Sequence, residues 1–187
     1  MSIKYVILGY LSWQPMTGYD VKKIIAESEI LPWSANNNQV YRALVQLHDD
    51  AWVSKEIEQQ DGAPNRHVYT ITDDGVRALE EWVQTEPEAP ISKKAFLHQL
   101  LWADSLDTEK IDSLLESYLN AVGEKVFFLR VQADRKPNMP ERSMREKYLW
   151  EMIHKNWIFQ YETELDWIRR MREELKELEA AQRWSKS

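Results

Sequence analysis

Apolar residues in the first part of the chain recur at helical spacing in three short runs. Residues 3–12, IKYVILGYLS, are dense in apolar groups with Lys4 as the only charge, and Gln14, Pro15 and Met16 end the run. Thr17 is an acceptable N-cap for the second run, TGYDVKKIIAES. There Tyr19 or Val21, then Ile24 and Ile25, face inward, while Lys22 and Lys23 face out. Pro32 closes the connection, and Ser34 or one of the asparagines after it caps the third run. That run is WSANNNQVYRALVQLHDDAWV, from Trp33 to Val53. Val40, Leu44 and Leu47 share one side at i, i+4, i+7, and Gln39, Arg42 and Gln46 take the other. Taken alone, this helix needs no more than a solvated polar face.

The period then changes from helical to alternating. WVSKEIEQ sets Val53 and Ile57 on one face, and RHVYTIT sets Tyr69 and Ile71 on one face. Between them QDGAPN carries the Asp61-Gly62 turn signal, and Pro64 is unfit for a central strand. Thr72 caps a further helix, TDDGVRALEEWV, with Asp73 and Asp74 where the helix dipole favours acids. Helix, helix, helix, hairpin, helix is the order of a winged helix-turn-helix. Residues 84–93, QTEPEAPISK, read as a boundary because of Pro87 and Pro90, so the expected domains are 1–86 and 87–187.

The second domain reads as all-helical. A short helix spans roughly 93–103. Asp107 caps a long one to about Arg135, with Ile111, Leu114, Leu115, Tyr118, Val122, Val126 and Leu129 in period. Pro137 and Pro140 break the chain, and a last helix runs from about Ser143 to about Glu179. Its seam of Ile158, Tyr161, Leu165, Ile168, Met171 or Arg172, Leu175 and Leu178 resembles a coiled coil. The seam is expected to pack on the 107–135 helix and also on a second chain. Ile158, Tyr161, Leu165, Ile168 and Leu175 are the expected dimerisation residues. The fold class is mainly α: an N-terminal winged helix-turn-helix and a C-terminal helical dimerisation domain.

Charge complicates this picture. The chain carries 24 basic and 31 acidic side chains, a net −7. Up to residue 86 there are 7 basic and 13 acidic residues, a net −6. A nucleic-acid reader normally has a basic footprint, so any such role needs a local basic face. There is no cysteine, hence no disulfide or thiol chemistry. No apolar run approaches a membrane span and no signal-peptide pattern opens the chain, so the expected location is cytoplasmic. No nucleophile elbow, phosphate loop or dinucleotide fingerprint is present, and no enzyme activity or cofactor is expected. The histidines at 48, 67, 98 and 154 lack metal-ligand spacing. Glu151 and His154 form half of a di-iron bundle motif whose second copy is missing, so no metal is expected.

IKYVILGYL, TGYDVKKII, WSANNNQVYRAL followed by QLHDDAWV, and VYTITDDG together resemble the PadR-like family of winged-helix transcriptional regulators. The resemblance runs in order over the whole N-terminal domain. The helical C-terminal domain looks like the long-tailed branch that includes phenolic-acid-responsive repressors. The sequence departs from the family at Ala51, where glycine is usual, and at Arg42, where proline is common after the tyrosine. The resemblance implies a homodimer joined through its C-terminal helices on double-stranded operator DNA. It further implies repression relieved by a small aromatic ligand such as a phenolic acid. That ligand would lie between the domains, near Tyr19 and the last helix, and the expected effector residues are Tyr19, Asn37, Phe96, Trp150 and His154. The bland alternative for the aromatics among them is core or dimer packing.

Phosphate positioning and base reading call for different groups. Lys22, Lys23, Tyr41, Lys55 and Arg66 are the phosphate candidates. Asn36, Asn37, Asn38, Gln39 and Arg42 are the base-edge candidates, since Asn and Gln pair bidentately with adenine and Arg with guanine. His67 is set aside. The functional expectation is a ligand-responsive repressor acting as a homodimer on a pseudo-palindromic operator. The alternative is a winged-helix adaptor for protein contacts, which the acidic N-terminal domain favours.

Overall fold

The computed structural model describes residues 2–28, 37–59, 65–89, 94–134 and 142–185. The chain divides into two compact units, Met1–Ala89 and Pro90–Ser187.

The first unit contains α1 (Ile3–Leu11), β1 (Met16–Thr17), α2 (Gly18–Glu27), α3 (Asn37–Asp49), β2 (Val53–Glu58), β3 (Arg66–Ile71) and α4 (Asp73–Val83). Its core joins Ile7, Leu8 and Leu11 of α1, Val21 and Ile25 of α2, Val40, Leu44 and Leu47 of α3, and Val53 and Tyr69 of the hairpin. The i, i+4, i+7 apolar line of α3 is therefore its inner face. Ile57, paired with Val53 by alternation, lies near the hairpin tip beyond the core and is 59% exposed. The sequence period predicts a two-stranded hairpin, and a third short strand completes the sheet in the order β1-β3-β2, with Met16 opposite Tyr69. Ser34, Asn36 and the Asp61-Gly62 turn lie outside the described residues.

Three local devices hold α2, α3 and α4 together. Thr17 caps α2 in a capping box: its hydroxyl accepts from the Asp20 amide at 3.1 Å, and the Asp20 carboxylate accepts from the Thr17 amide at 3.2 Å. Next to it Gly18 lies against α3, where an added Cβ would come within 2.9 Å of the Tyr41 ring. At the end of α3 the Trp52 amide donates to the Leu47 carbonyl at 2.9 Å and the Ala51 amide to His48 at 3.0 Å. These are the paired bonds of a Schellman cap, and Ala51 occupies its left-handed position with φ 59°. Thr72 then ties α4 to this cap. Its hydroxyl donates to the Ala51 carbonyl at 2.8 Å and accepts from the Gly75 amide at 3.1 Å, while its amide donates to the Trp52 carbonyl at 3.0 Å. On the far side, Tyr5 of α1 stacks on Trp82 of α4 with ring centroids 4.8 Å apart.

The second unit contains α5 (Ala95–Leu101), a 3-10 turn at Ala103–Ser105, α6 (Thr108–Asp134) and α7 (Met144–Ser185). Asp107 caps α6 through the Lys110 amide at 2.9 Å, and Ser143 accepts from the Glu146 amide at the start of α7 at 3.0 Å. Leu115, Val122 and Val126 of α6 pack with Leu165 and Ile168 of α7, flanked by Tyr161, Met171 and Leu175. Arg172 of α7 donates two hydrogen bonds to the Asp112 carboxylate of α6, at 2.5 and 2.7 Å. This fork holds the Asp112 carboxyl down at about 2, chiefly through the hydrogen bonding itself. Leu165 and Ile168, expected to pack on the 107–135 helix and also on a second chain, are buried against α6. The period correctly marks a buried face, and α6 covers it.

Candidate nucleic-acid interface

The outward face of α3 follows from its buried one. At about 100° per residue, Asn38, Arg42, Val45 and Asp49 lie opposite Val40, Ala43, Leu44 and Leu47. All four are exposed. Gln39 and Gln46, also exposed, stand on one flank of that line, and Tyr41 and His48 on the other. Arg42 thus occupies the middle of the outer face, as expected, and Gln39 lies at its edge. Asn37 begins the helix.

The positive charges of this unit are sorted by their partners. Lys4 pairs with Asp50 at 2.8 Å and Arg77 pairs with Asp74. Lys22, Lys23, Arg42, Lys55 and Arg66 hold no ion pair among the described residues. Those five are the basic candidates on α2, α3 and the hairpin. The two ion pairs each remove one acid with one base, so the net −6 of residues 1–86 stands, and any basic face must come from where these five cations lie. Lys23, Arg42, Lys55 and Arg66 are exposed, and Lys22 is half-buried.

The hairpin register separates its two candidates. Lys55 pairs across with Tyr69 and Arg66 with Glu58. Because side chains alternate, Lys55 shares a face with Val53, Ile57, His67 and Tyr69. Arg66 shares the other with Ser54, Glu56, Glu58 and Val68. One wing face is thus basic and apolar, and the other sets Arg66 among acids.

The expected effector residues are dispersed between the units. Tyr19 is 63% exposed at the first turn of α2. Phe96 is a core residue of α5, stacked on Tyr118 with centroids 3.6 Å apart and edge-on to Trp167. Its ring is packed in the core of the second unit. The Tyr118 hydroxyl donates to Glu164 at 2.9 Å, and Lys94 pairs with the same carboxylate. Burial and that carboxylate push the Tyr118 hydroxyl up to about 12. Trp150 is half-buried on α7. One turn later His154 is 9% exposed, and neither ring nitrogen has a hydrogen-bond partner among the described residues. Burial lowers its pKa below the ordinary 6.5, which favours the neutral imidazole.

Sequence periodicity missed the β1 strand, the close approaches at Gly18 and Gly75, and Val45. The first three depend on partners distant in the chain. Val45 was legible as the i+3 neighbour of Arg42.

Fold and site together define a winged helix with an outward polar recognition-type helix, followed by a helical hairpin. Residues 7–81 match the transcriptional regulator PadR-like family, and residues 92–176 match the virulence activator alpha C-term family. The chain belongs to the PadR-like family of transcriptional regulators. It is 27% identical over 118 residues to the negative transcriptional regulator PadR of Bacillus subtilis. It is 32% identical over 90 residues to the probable transcriptional regulator Rv1176c of Mycobacterium tuberculosis. The matches span 63% and 48% of this chain, and 65% and 47% of those relatives' lengths. In fold it resembles B. subtilis PadR in complex with operator DNA (TM-score 0.79, 21% identity, 91% of this chain and 96% of that one). It likewise resembles the same protein in complex with p-coumaric acid (TM-score 0.77, 21% identity, 93% and 98%). The Vibrio cholerae virulence activator AphA is similar over 95% of this chain and 99% of its own (TM-score 0.71, 23% identity). No described helix is long and apolar enough to cross a membrane.

Proposed function

We propose that this chain is a DNA-binding transcriptional repressor that acts as a homodimer on a pseudo-palindromic operator and is released by a small aromatic ligand. One observation carries the DNA-binding reading: five cations on α2, α3 and the wing hold no ion pair among the described residues. Asn38 and Arg42 sit on the outer line of α3. Lys22, Lys23, Tyr41, Lys55 and Arg66 serve phosphates, and Asn36 to Gln39 with Arg42 serve base edges. The family, and the likeness to a relative in complex with operator DNA, support the same reading.

A second apolar stripe on α7 supports the homodimer. Tyr148, Leu149, Met152 and Phe159 are exposed and lie roughly 180° around the helix from Leu165 and Ile168. Phe127 and Phe128 of α6 are also exposed. One face of α7 is covered by its own chain, and the stripe offers the other to a second copy. Phe159→Asp is expected to leave the fold intact and give monomers in sedimentation analysis; an unchanged dimer would refute this use of the stripe. The effector reading rests on His154, whose neutral imidazole can donate to a carboxylate or phenol, with Trp150 one turn before it.

The test is a gel-shift titration of the full chain on a duplex from its own upstream region, at several salt concentrations, with and without p-coumaric acid. Specific binding that weakens steeply with salt and is relieved by the acid is expected. Arg42→Ala should remove operator preference, roughly 1–3 kcal/mol of discrimination, without unfolding the chain. Equal affinity for unrelated duplexes, or no binding at any salt or ligand condition, refutes the reading and favours the protein-contact adaptor.

A further inference from the structure

We propose that Val45 reads a thymine methyl group in the major groove, which makes it a specificity-determining residue of α3. The proposal rests on the DNA-binding reading above. Val45 is 56% exposed and belongs to neither hydrophobic core cluster. A β-branched side chain loses χ1 freedom in a helix, so at an exposed position valine serves the helix less well than alanine. Folding therefore gives no reason for its isopropyl group.

Its position gives one. Val45 stands on the outward line of α3, between Arg42 and Asp49, on the side away from Val40, Ala43, Leu44 and Leu47. Every other group on that line is polar. Base edges in the major groove offer donors, acceptors and one apolar group, the thymine C5 methyl. An isopropyl group among hydrogen-bonding side chains matches that methyl and no other feature of the groove. Arg42 lies three residues earlier, about 4.5 Å along the helix axis, against about 3.4 Å per base step. A guanine read by Arg42 and a thymine read by Val45 would stand one or two base pairs apart. Asp49 ends the line, since a carboxylate there repels phosphates and confines reading to the turns before it.

The full-length protein is used to select bound sequences from a random duplex pool. Each thymine of the enriched half-site is then replaced by deoxyuridine, which removes only the methyl group. The expected result is one thymine, within two base pairs of a guanine, whose replacement weakens wild-type binding about fourfold, the worth of one buried methyl. Val45→Ala should bind the thymine duplex about fourfold more weakly than wild type and bind both duplexes equally. A wild-type protein indifferent to uracil at every thymine overturns the proposal, as does an undiminished uracil penalty in Val45→Ala. Enrichment of no sequence would remove the DNA-binding reading itself, and this assignment with it. The substitution leaves the core untouched, and a wild-type melting temperature verifies that the variant is folded.

Discussion

Ala51 holds the left-handed position of the Schellman cap that ends α3 and launches the wing, with φ 59°. For a residue with a Cβ this conformation costs about 1–2 kcal/mol relative to the right-handed region, and glycine avoids the cost. Ala51→Gly also loosens the unfolded chain, which offsets about 0.4–1 kcal/mol. Ala51 is exposed, so removing its methyl group forfeits no core packing. The bonds that define the cap, Trp52 to Leu47 and Ala51 to His48, involve only backbone and survive the change. The net expectation is a gain of about 0.5–1 kcal/mol. In a unit of this size that raises the melting temperature by about 2–8 °C. The assay is urea unfolding followed by tryptophan fluorescence, since Trp52 sits at the cap, with calorimetry for the thermal shift. Ala51→Val is the matched opposite, because a β-branched residue is worse than alanine at positive φ, and its midpoint should fall. An Ala51→Gly midpoint at or below wild type, with an unchanged denaturant slope, would refute the claim that this turn stores strain.

Two contrasting glycines give a second test. Gly75→Ala puts a Cβ 2.1 Å from the Trp52 carbonyl oxygen, where backbone must move, so a loss of about 3 kcal/mol is expected. Gly9→Ala, with nothing within 4 Å of its Cβ, should gain up to about 1 kcal/mol from helix propensity; equal effects in urea melts would refute the packing argument. His154→Leu should raise stability by about 1–2 kcal/mol, because it removes two buried nitrogens without partners. In wild type the folded imidazole has a lowered pKa, so the unfolded chain takes up the proton first, and stability falls as pH drops below about 6.5. His154→Leu should flatten that limb of the stability curve and abolish the response to p-coumaric acid. A variant as pH-sensitive as wild type between pH 7 and 5 would clear His154 of that role.

The winged helix was legible because its signals are local. Thr17 with Asp20, and Thr72 with Gly75, bond across three residues, so the sequence window that suggests a cap also contains its partner. The β1 strand was illegible for the converse reason. Met16 and Thr17 are too few to carry a period, and they become a strand only by pairing with Val68 and Tyr69 some fifty residues later. Gly18 and Gly75 were visible as residues of the family pattern, but their necessity is tertiary: one touches the Tyr41 ring and the other the Trp52 carbonyl. Ala51 stood out as a departure from glycine, and its positive φ supplies the physical meaning of that departure.

The second unit separates what periodicity determines from what it leaves open. The spacing of Leu165, Ile168 and Leu175 fixes which residues share a face of α7, but any apolar surface satisfies a period. The choice of α6 as the covering surface comes from groups off that pattern. Arg172 forks onto Asp112, Arg130 pairs with Glu162, and Tyr118 donates to Glu164. These bonds register the two helices against each other within one chain, and a coiled-coil template scores none of them. Once the seam is covered, Tyr148, Leu149, Met152 and Phe159 remain as an exposed apolar stripe on α7. That stripe begins before the seam and so escapes a search that follows the strongest heptads. The regular side of α7 is covered by α6 of its own chain, and the less regular side is the surface that the proposed homodimer would use.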